Sequence, residues 1–245
     1  MNRAHTARQA IDNLQLALHH FNNLTIDLIY GTPTLTDERW KQNVTQAINL
    51  GIPHLSCYAL TVEPKTALDS MIRKHQVSNV EPDDQARQFL QLMDWTAAAG
   101  YEHYEISNFA LPGHRSRHNS AYWQGAHYLG LGPSAHSFNG QSRQWNIANN
   151  ALYIQSLKQG TIPFEVETLT ADQRLNEYIM TSLRTMEGLS LQQVQQLSGE
   201  KGSKALLKNS SRFIEQQLLQ EKDGRLVLTK QGKLFADGIA GDLFV

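Results

Sequence analysis

Residues 24–60, LTIDLIYGTPTLTDERWKQNVTQAINLGIPHLSCYAL, contain two apolar runs separated by a helical pattern. The runs are residues 24–30 and 55–60, and a glycine and a proline follow the first run and precede the second. Such punctuation marks the ends of short strands, and helix signals fill residues 37–50 between them. A strand, a helix and a second strand in this order predict a βαβ unit with parallel strands.

The segments on either side continue the alternation of helices and strands. Apolar residues recur at three- and four-residue steps over residues 7–21, which predicts an amphipathic helix. Further helical patterns cover residues 66–74 and 82–99, and a third strand is expected at residues 101–106. This order predicts an α/β fold with a parallel sheet.

A second, smaller and mainly α domain is predicted after a boundary near residue 163. Its signals are capping boxes at 170–173 and 190–193, a third helix at about 203–219, an Asp-Gly turn at 223–224 and a last helix from 229. Three helices, a hairpin and a helix resemble a winged-helix module. The predicted domains are therefore residues 1–162 and 163–245.

The charge balance argues against a nucleic-acid partner. The chain has 22 Lys+Arg against 23 Asp+Glu and a pI of about 6.8, so that no overall field attracts polyanions. The third helix of the winged-helix-like module offers only scattered Lys204, Lys208 and Arg212 for DNA. A packing or lid role is the better interpretation of this module.

Cysteine content and hydropathy exclude other classes of protein. The single cysteine, Cys57, excludes an intrachain disulfide framework and any cluster or zinc site built from several cysteines of this chain. No run of about 18 apolar residues is present, and the first residues lack the apolar core of a signal peptide. We expect a cytoplasmic protein without a transmembrane segment.

Residues 101–137 concentrate side chains that are capable of chemistry. Five of the ten histidines lie there, at 103, 114, 118, 127 and 136. His118 with Tyr122 and Trp123 combines an imidazole ligand with flat aromatic surfaces, which a haem or another planar ring needs for axial ligation and stacking. Alternatives are that His118 is a structural histidine, or that His114 and His118 form two ligands of a metal site.

Two weaker candidates come from the strands. Asp27 is expected near the carboxyl end of a parallel strand, where α/β folds place functional groups, although it could instead cap the following turn. His103 and Glu105 stand at alternate positions of the third strand and could form an acid–base pair on one face.

Six segments of the chain, in this order, resemble one family. They are NRAHT at 2–6, IDLIYGTP at 26–33, LSCYALTVEPKT at 55–66, YEISNFALPG at 104–113, HNSAYW at 118–123 and LGLGPSAHS at 129–137. The resemblance is to the HemW family of haem chaperones, which are radical S-adenosylmethionine proteins related to oxygen-independent coproporphyrinogen III oxidase. It runs nearly from end to end, and it accounts for the winged-helix-like tail.

The resemblance implies the C-terminal part of a partial radical S-adenosylmethionine (β/α) barrel, followed by the small helical domain. In the family, a CxxxCxxC loop binds a four-iron four-sulfur (4Fe-4S) cluster that carries S-adenosylmethionine. This sequence lacks that loop, so we expect Met1 to be an internal methionine or a misplaced start, with an N-terminal part missing.

The resemblance also implies roles for individual residues. Arg3, Asp27, Ala59 and His136 correspond to S-adenosylmethionine contacts. The HNxxYW motif assigns haem binding to His118, Asn119, Tyr122 and Trp123, with His118 as the ligand of the haem iron.

Three functions follow from these expectations. The first is a haem chaperone of the HemW type, which binds haem or a porphyrin and passes haem to haem-accepting proteins. The second is an oxidase-like enzyme of porphyrin biosynthesis, and the third is an inactive fragment. The HNxxYW motif favours the chaperone, and without the cluster cysteines we do not expect the chain to be catalytic alone.

Overall fold

A computed structural model describes residues 5–245 of the chain. The chain separates into two compact units, Met1–Ser116 and Arg117–Val245. The boundary predicted from the sequence, between residues 162 and 163, lies within the second unit, and the division into domains at that point stays a prediction.

The first unit is a mixed α/β unit. Its elements are α1 (Ala7–His20), β1 (Thr25–Tyr30), α2 (Asp37–Asn49), β2 (His54–Ala59), α3 (Ala67–Arg73), α4 (Pro82–Ala98), β3 (Glu102–Glu105) and β4 (Asn108–Ala110). β1 and β2 pair in parallel with α2 between them, which confirms the predicted βαβ unit. Thr36 caps α2, and its side chain accepts a hydrogen bond from the Arg39 amide.

The sheet is mixed: β1 and β2 are parallel as predicted, and the antiparallel β4 was not predicted. Its strand order is β1-β2-β4-β3, with β4 antiparallel to both of its neighbours. Only Ile106 and Ser107 separate β3 from β4, and the Glu105 carboxylate accepts a hydrogen bond of 3.0 Å from the Ser107 amide. This tight turn folds the chain back, so that β4 takes the place beside β2.

The core of the first unit lies between the sheet and the helices α2 and α4. Trp40 is fully buried, and its indole nitrogen donates to the carbonyl of Gln88 at 3.1 Å. Tyr30 stacks on Phe89 with a centroid separation of 6.0 Å. The predicted helix α1 is present, yet it buries no residue, and Phe21 directly after it is 63% exposed.

The second unit begins at the short helix that carries the HNxxYW motif. Its elements are α5 (Arg117–Trp123), β5 (His136–Phe138), β6 (Ser142–Asn146), α6 (Asn150–Lys158), β7 (Phe164–Thr168), α7 (Ala171–Leu183), β8 (Leu189–Ser190), α8 (Leu191–Glu215), β9 (Leu219–Lys222), β10 (Arg225–Leu228) and α9 (Ala236–Asp242). The strands form two antiparallel sheets, ordered β5-β6-β7 and β8-β10-β9.

The winged-helix-like order of elements is confirmed in residues 171–242. Thr170 and Gln173 form the predicted capping box of α7, and Ser190 caps α8. Gly199 adopts φ 71° and divides α8 into two helices, residues 191–198 and 200–215. In the hairpin, Asp223 and Gly224 both have positive φ, 51° and 70°, as the tight turn requires. Among the described residues, no helix is both long and apolar enough to cross a membrane.

Candidate functional site

Two of the residues proposed to contact S-adenosylmethionine lie on neighbouring strands of the first unit. Asp27 is exposed and is the third of six residues in β1, so it lies mid-strand rather than near the carboxyl end. Ala59 is the last residue of β2 and pairs with Tyr30, whereas Asp27 pairs with Ser56. Side chains alternate between the faces of a sheet, so Asp27 and Ala59 face opposite sides.

The turn after β1 is held by α4. The Gly31 amide donates to Gln88 Oε1 at 2.8 Å, and Gln85 Nε2 donates to the Leu60 carbonyl at 2.9 Å. Gly31 has φ 66°, and a Cβ there would lie 2.2 Å from Gln85 Cγ. These contacts organise the turn without Asp27, so the alternative role for Asp27 as the cap of this turn gains no support.

A buried polar network covers the same face of the sheet as Asp27, and sequence reasoning missed it. His54 shares hydrogen bonds of 2.7 Å with the Thr25 hydroxyl through Nδ1 and with the Tyr104 hydroxyl through Nε2. Burial lowers the pKa of His54, and the negative charge of Asp27 opposes that shift. A histidine among turn residues gave no sequence signal, because its partners lie 29 and 50 residues away.

The predicted His103–Glu105 pair has other partners in the structure. The His103 ring stacks on Phe109 at 4.1 Å, and its Nε2 shares a hydrogen bond of 3.0 Å with the Ile106 carbonyl. Glu105 accepts from Asn108 Nδ2 at 2.5 Å. A register irregularity between His103 and Glu105 disturbs the alternation on which the acid–base prediction depended.

Cys57 does not fit a site for an iron–sulfur cluster. It is the single cysteine of the chain and is 1% exposed in β2. Burial raises the pKa of its thiol, which disfavours the thiolate that a cluster iron binds. Within residues 5–245, no group of three or more His, Cys, Asp or Glu side chains is placed to hold a metal ion.

The HNxxYW motif forms one face of the helix α5. His118 is exposed, and its ring meets that of Tyr122, one turn later, edge to face at 5.0 Å. Tyr122 is 43% exposed and contacts Tyr128 at 4.9 Å in the same manner. Asn119 is half-buried beside His118. An exposed imidazole therefore lies next to aromatic rings on this helix, and haem binding by these residues stays a prediction.

Trp123 lies at the end of α5 and has an unsatisfied polar group. Its Nε1 is buried, and no residue of 5–245 accepts a hydrogen bond from it. The Arg184 guanidinium lies 5.1 Å from the centre of the indole ring, which is a cation–π contact. A buried donor without an acceptor is costly, so this nitrogen is a candidate for contact with a ligand.

Tyr122 and Trp123 line a cavity of about 730 Å³ in the second unit. A volume of this size is typical of sites for organic ligands. Its apolar wall includes Tyr128, Phe138 and Phe244, and α7 supplies its polar wall together with Arg143 and Glu167. The structure thus brings two HNxxYW residues to a cavity whose far side comes from residues about 50 positions later in the chain.

Some charged side chains of the polar wall form ion pairs, and others do not. Arg143 forms an ion pair with Glu177, and Gln173 Nε2 donates to Glu167 at 3.1 Å. Burial raises the pKa of Glu177, Arg143 lowers it, and Glu167 raises it further. Arg174 also lines the cavity, and its guanidinium makes no ion pair within the part of the chain that the structure describes.

Sequence reasoning missed Arg174, although one signal was present. Arg174 is the fourth residue of α7, where the positive end of the helix dipole disfavours a cation. A cation placed there is a clue to a nearby anion, but it does not identify the other residues of the site.

The remaining candidates lie elsewhere. His136 opens β5 in the second unit, is exposed, and has its ring 6.2 Å from that of Trp145 beside a separate cavity of about 410 Å³. His127 contacts Phe138 at 6.3 Å, edge to face. Arg3 lies outside the described residues.

Comparison with known proteins gives matches to a HemN domain and to heme chaperones HemW. A family model described as the HemN C-terminal domain matches residues 169–235. The heme chaperone HemW of Mycobacterium tuberculosis is 33% identical over 245 residues, which cover 99% of this chain and 61% of that protein. The heme chaperone HemW of Bacillus subtilis is 27% identical over 243 residues, covering 98% of this chain and 64% of that protein.

A solved structure shares the fold. The coproporphyrinogen III oxidase HemN of Escherichia coli, described as a radical SAM enzyme, matches with a TM-score of 0.78 over 100% of this chain and 60% of its own, at 21% identity. The chain spans about three fifths of the length of these relatives. Over 98–99% of its length the chain is similar in sequence to heme chaperones HemW, and it shares the fold of HemN.

Proposed function

We propose that this chain is a haem carrier of the HemW type, which binds haem and passes it to haem-accepting proteins in the cytoplasm. The observation that carries the proposal is the arrangement of α5, with an exposed imidazole at His118 in edge-to-face contact with Tyr122. Neutral imidazole is a common ligand of haem iron, and aromatic rings provide the flat apolar surface that a porphyrin needs.

The haem is the cargo in this proposal, with its iron bound by His118. Tyr122 and Trp123 contact the ring, and Asn119 contributes to haem binding from the same helix. Every one of these residues belongs to the second unit. In this proposal, haem binding does not require the sheet of the first unit.

A radical S-adenosylmethionine framework is the second part of the proposal. Asp27, Ala59, His136 and Arg3 are the proposed contacts for S-adenosylmethionine, and the 4Fe-4S cluster of the family requires cysteines that this sequence does not contain. Asp27 offers an exposed carboxylate on the face that carries the His54 network, which suits a hydrogen bond to a polar ligand.

The oxidase-like function is the weaker candidate. It depends on a shared fold with a coproporphyrinogen III oxidase at 21% identity, and fold alone does not specify function. The relatives with the higher sequence identity are described as haem chaperones.

The test is a titration of ferric haem into the intact chain, followed by the Soret band. We expect saturable binding of one haem per chain, and His118→Ala should shift the band and weaken binding because the iron–imidazole bond is lost. The matched controls are His114→Ala, His127→Ala and His136→Ala. If one of these variants loses binding while His118→Ala keeps both the wild-type spectrum and affinity, His118 is not the ligand. If none of the four matters, the proposed carrier function is wrong.

A further inference from the structure

We propose that the cavity beside α5 binds a carboxylate group of haem, with Arg174 as the ion-pair partner and Trp123 Nε1 as a second donor. This inference rests on the proposed function and extends it to the polar edge of the ligand. It assigns a role to the first turn of α7, outside the HNxxYW motif.

Continuity of the lining supports the inference. Tyr122 contacts His118 through its ring and also lines the cavity. A planar ligand held at His118 and lying along Tyr122 therefore extends toward the cavity mouth. Haem is amphiphilic, since an apolar ring carries two carboxylates on one edge, and the cavity has an aromatic wall next to a polar one.

The polar groups of Trp123 and Arg174 favour a carboxylate of haem as the part that the cavity binds. Trp123 Nε1 is a buried donor without an acceptor, and the Arg174 guanidinium has no ion pair within residues 5–245. Both residues line the same cavity. A buried indole N–H without an acceptor and a half-buried guanidinium without an ion pair favour an anionic oxygen ligand over an apolar one.

The other charges of the wall leave Arg174 as the cation for this role. Arg143 is already paired with Glu177, and Glu167 accepts a hydrogen bond from Gln173. The Arg184 guanidinium lies over the Trp123 ring and pairs with Asp237 at 2.6 Å. Arg174 sits at the positive end of α7, so a bound carboxylate would be stabilised by the side chain and by the helix dipole.

The experiment compares ferric haem with its dimethyl ester, in which both carboxylates are neutral, in wild type, Arg174→Gln and a matched control. Arg39→Gln is that control, because Arg39 is an exposed arginine of α2 in the other unit. We expect wild type to bind haem roughly tenfold more tightly than the ester, which is the scale of one charge-assisted hydrogen bond. Arg174→Gln should lose this preference, and Arg39→Gln should keep it.

The outcomes separate this inference from the proposed function. If Arg174→Gln keeps the wild-type preference for haem, or if wild type shows none, the cavity does not bind the carboxylate. In either case a Soret band that still depends on His118 leaves the carrier function intact. Trp123→Phe keeps an aromatic ring and removes the Nε1 donor. It should weaken the binding of haem more than the binding of the dimethyl ester. An equal loss for both ligands would overturn the role of Nε1.

Discussion

Replacing Phe109 with alanine should destabilise the first unit without removing haem binding. Phe109 is 0% exposed in β4, between β2 and β3, and its ring stacks on His103 at 4.1 Å. Loss of a buried phenylalanine costs about 3–5 kcal/mol, which includes the stacking contribution. A domain is stable by only about 5–15 kcal/mol, so the substitution removes a large share of the stability of the first unit.

The measurement is amide hydrogen exchange of the intact variant, with haem affinity measured in parallel. Amides of β1 and β2 that open only when the unit unfolds should exchange about a hundredfold faster or more, because each 1.4 kcal/mol is about a tenfold change. Amides of α7 and α8 should exchange as in wild type. Haem affinity should be unchanged, since the proposed ligand and wall residues belong to the second unit.

The matched control is Leu206→Ala in α8, where Leu206 is 1% exposed in the core of the second unit. It should show the reverse pattern, with faster exchange in α7 and α8 and weaker haem binding. If Phe109→Ala weakens haem binding as much as Leu206→Ala does, the assignment of the haem site to the second unit alone is refuted.

Three further predictions concern titration and cofactor content. Burial holds the pKa of His54 below its unfolded value near 6.5, so the unfolded state binds more protons as the pH falls from 7.5 to 5. The stability advantage of wild type over His54→Gln in urea unfolding should therefore shrink over that range, and a constant difference would contradict the burial argument. Burial lowers the pKa of Lys233 to about 8, so the free energy of unfolding of wild type should rise relative to that of Lys233→Met as the pH rises from 8 toward 10.5. A difference between the two proteins that does not depend on pH would exclude this cause. Anaerobic reconstitution of the isolated chain should yield no 4Fe-4S cluster, because Cys57 is the single cysteine, and about four irons per monomer with cluster absorption would contradict this.

The sequence predicted those parts of the fold whose signals are local. Residues 24–60 carry strand and helix patterns with glycine and proline between them, and the βαβ unit formed as expected. The capping box of α7, the Ser190 cap of α8 and the Asp-Gly turn likewise marked the helices and hairpin of the C-terminal part, although the second predicted capping box is not formed. Each of these signals lies within a few residues of the structure that it specifies.

The sequence did not predict features that depend on contacts between residues far apart in the chain. β4 has only three residues, and its antiparallel place beside β2 depends on the turn at Ile106 and Ser107. The HNxxYW motif was recognised, but Arg174 joins Tyr122 and Trp123 at one cavity through packing that no local pattern records. Asp27 was expected near the carboxyl end of its strand, yet both the predicted run 24–30 and the observed β1 end at residue 30, three residues beyond it.

The central claim, that His118 binds the iron of haem on α5, is tested most directly by imidazole rescue of His118→Ala. Free imidazole can replace the missing ligand if the aromatic wall of Tyr122 and Trp123 and the cavity remain intact. We predict that His118→Ala loses the wild-type Soret band of the ferric complex and that added imidazole restores it. A wild-type band in the variant without imidazole, or a lost band that imidazole does not restore in the folded variant, would contradict the claim.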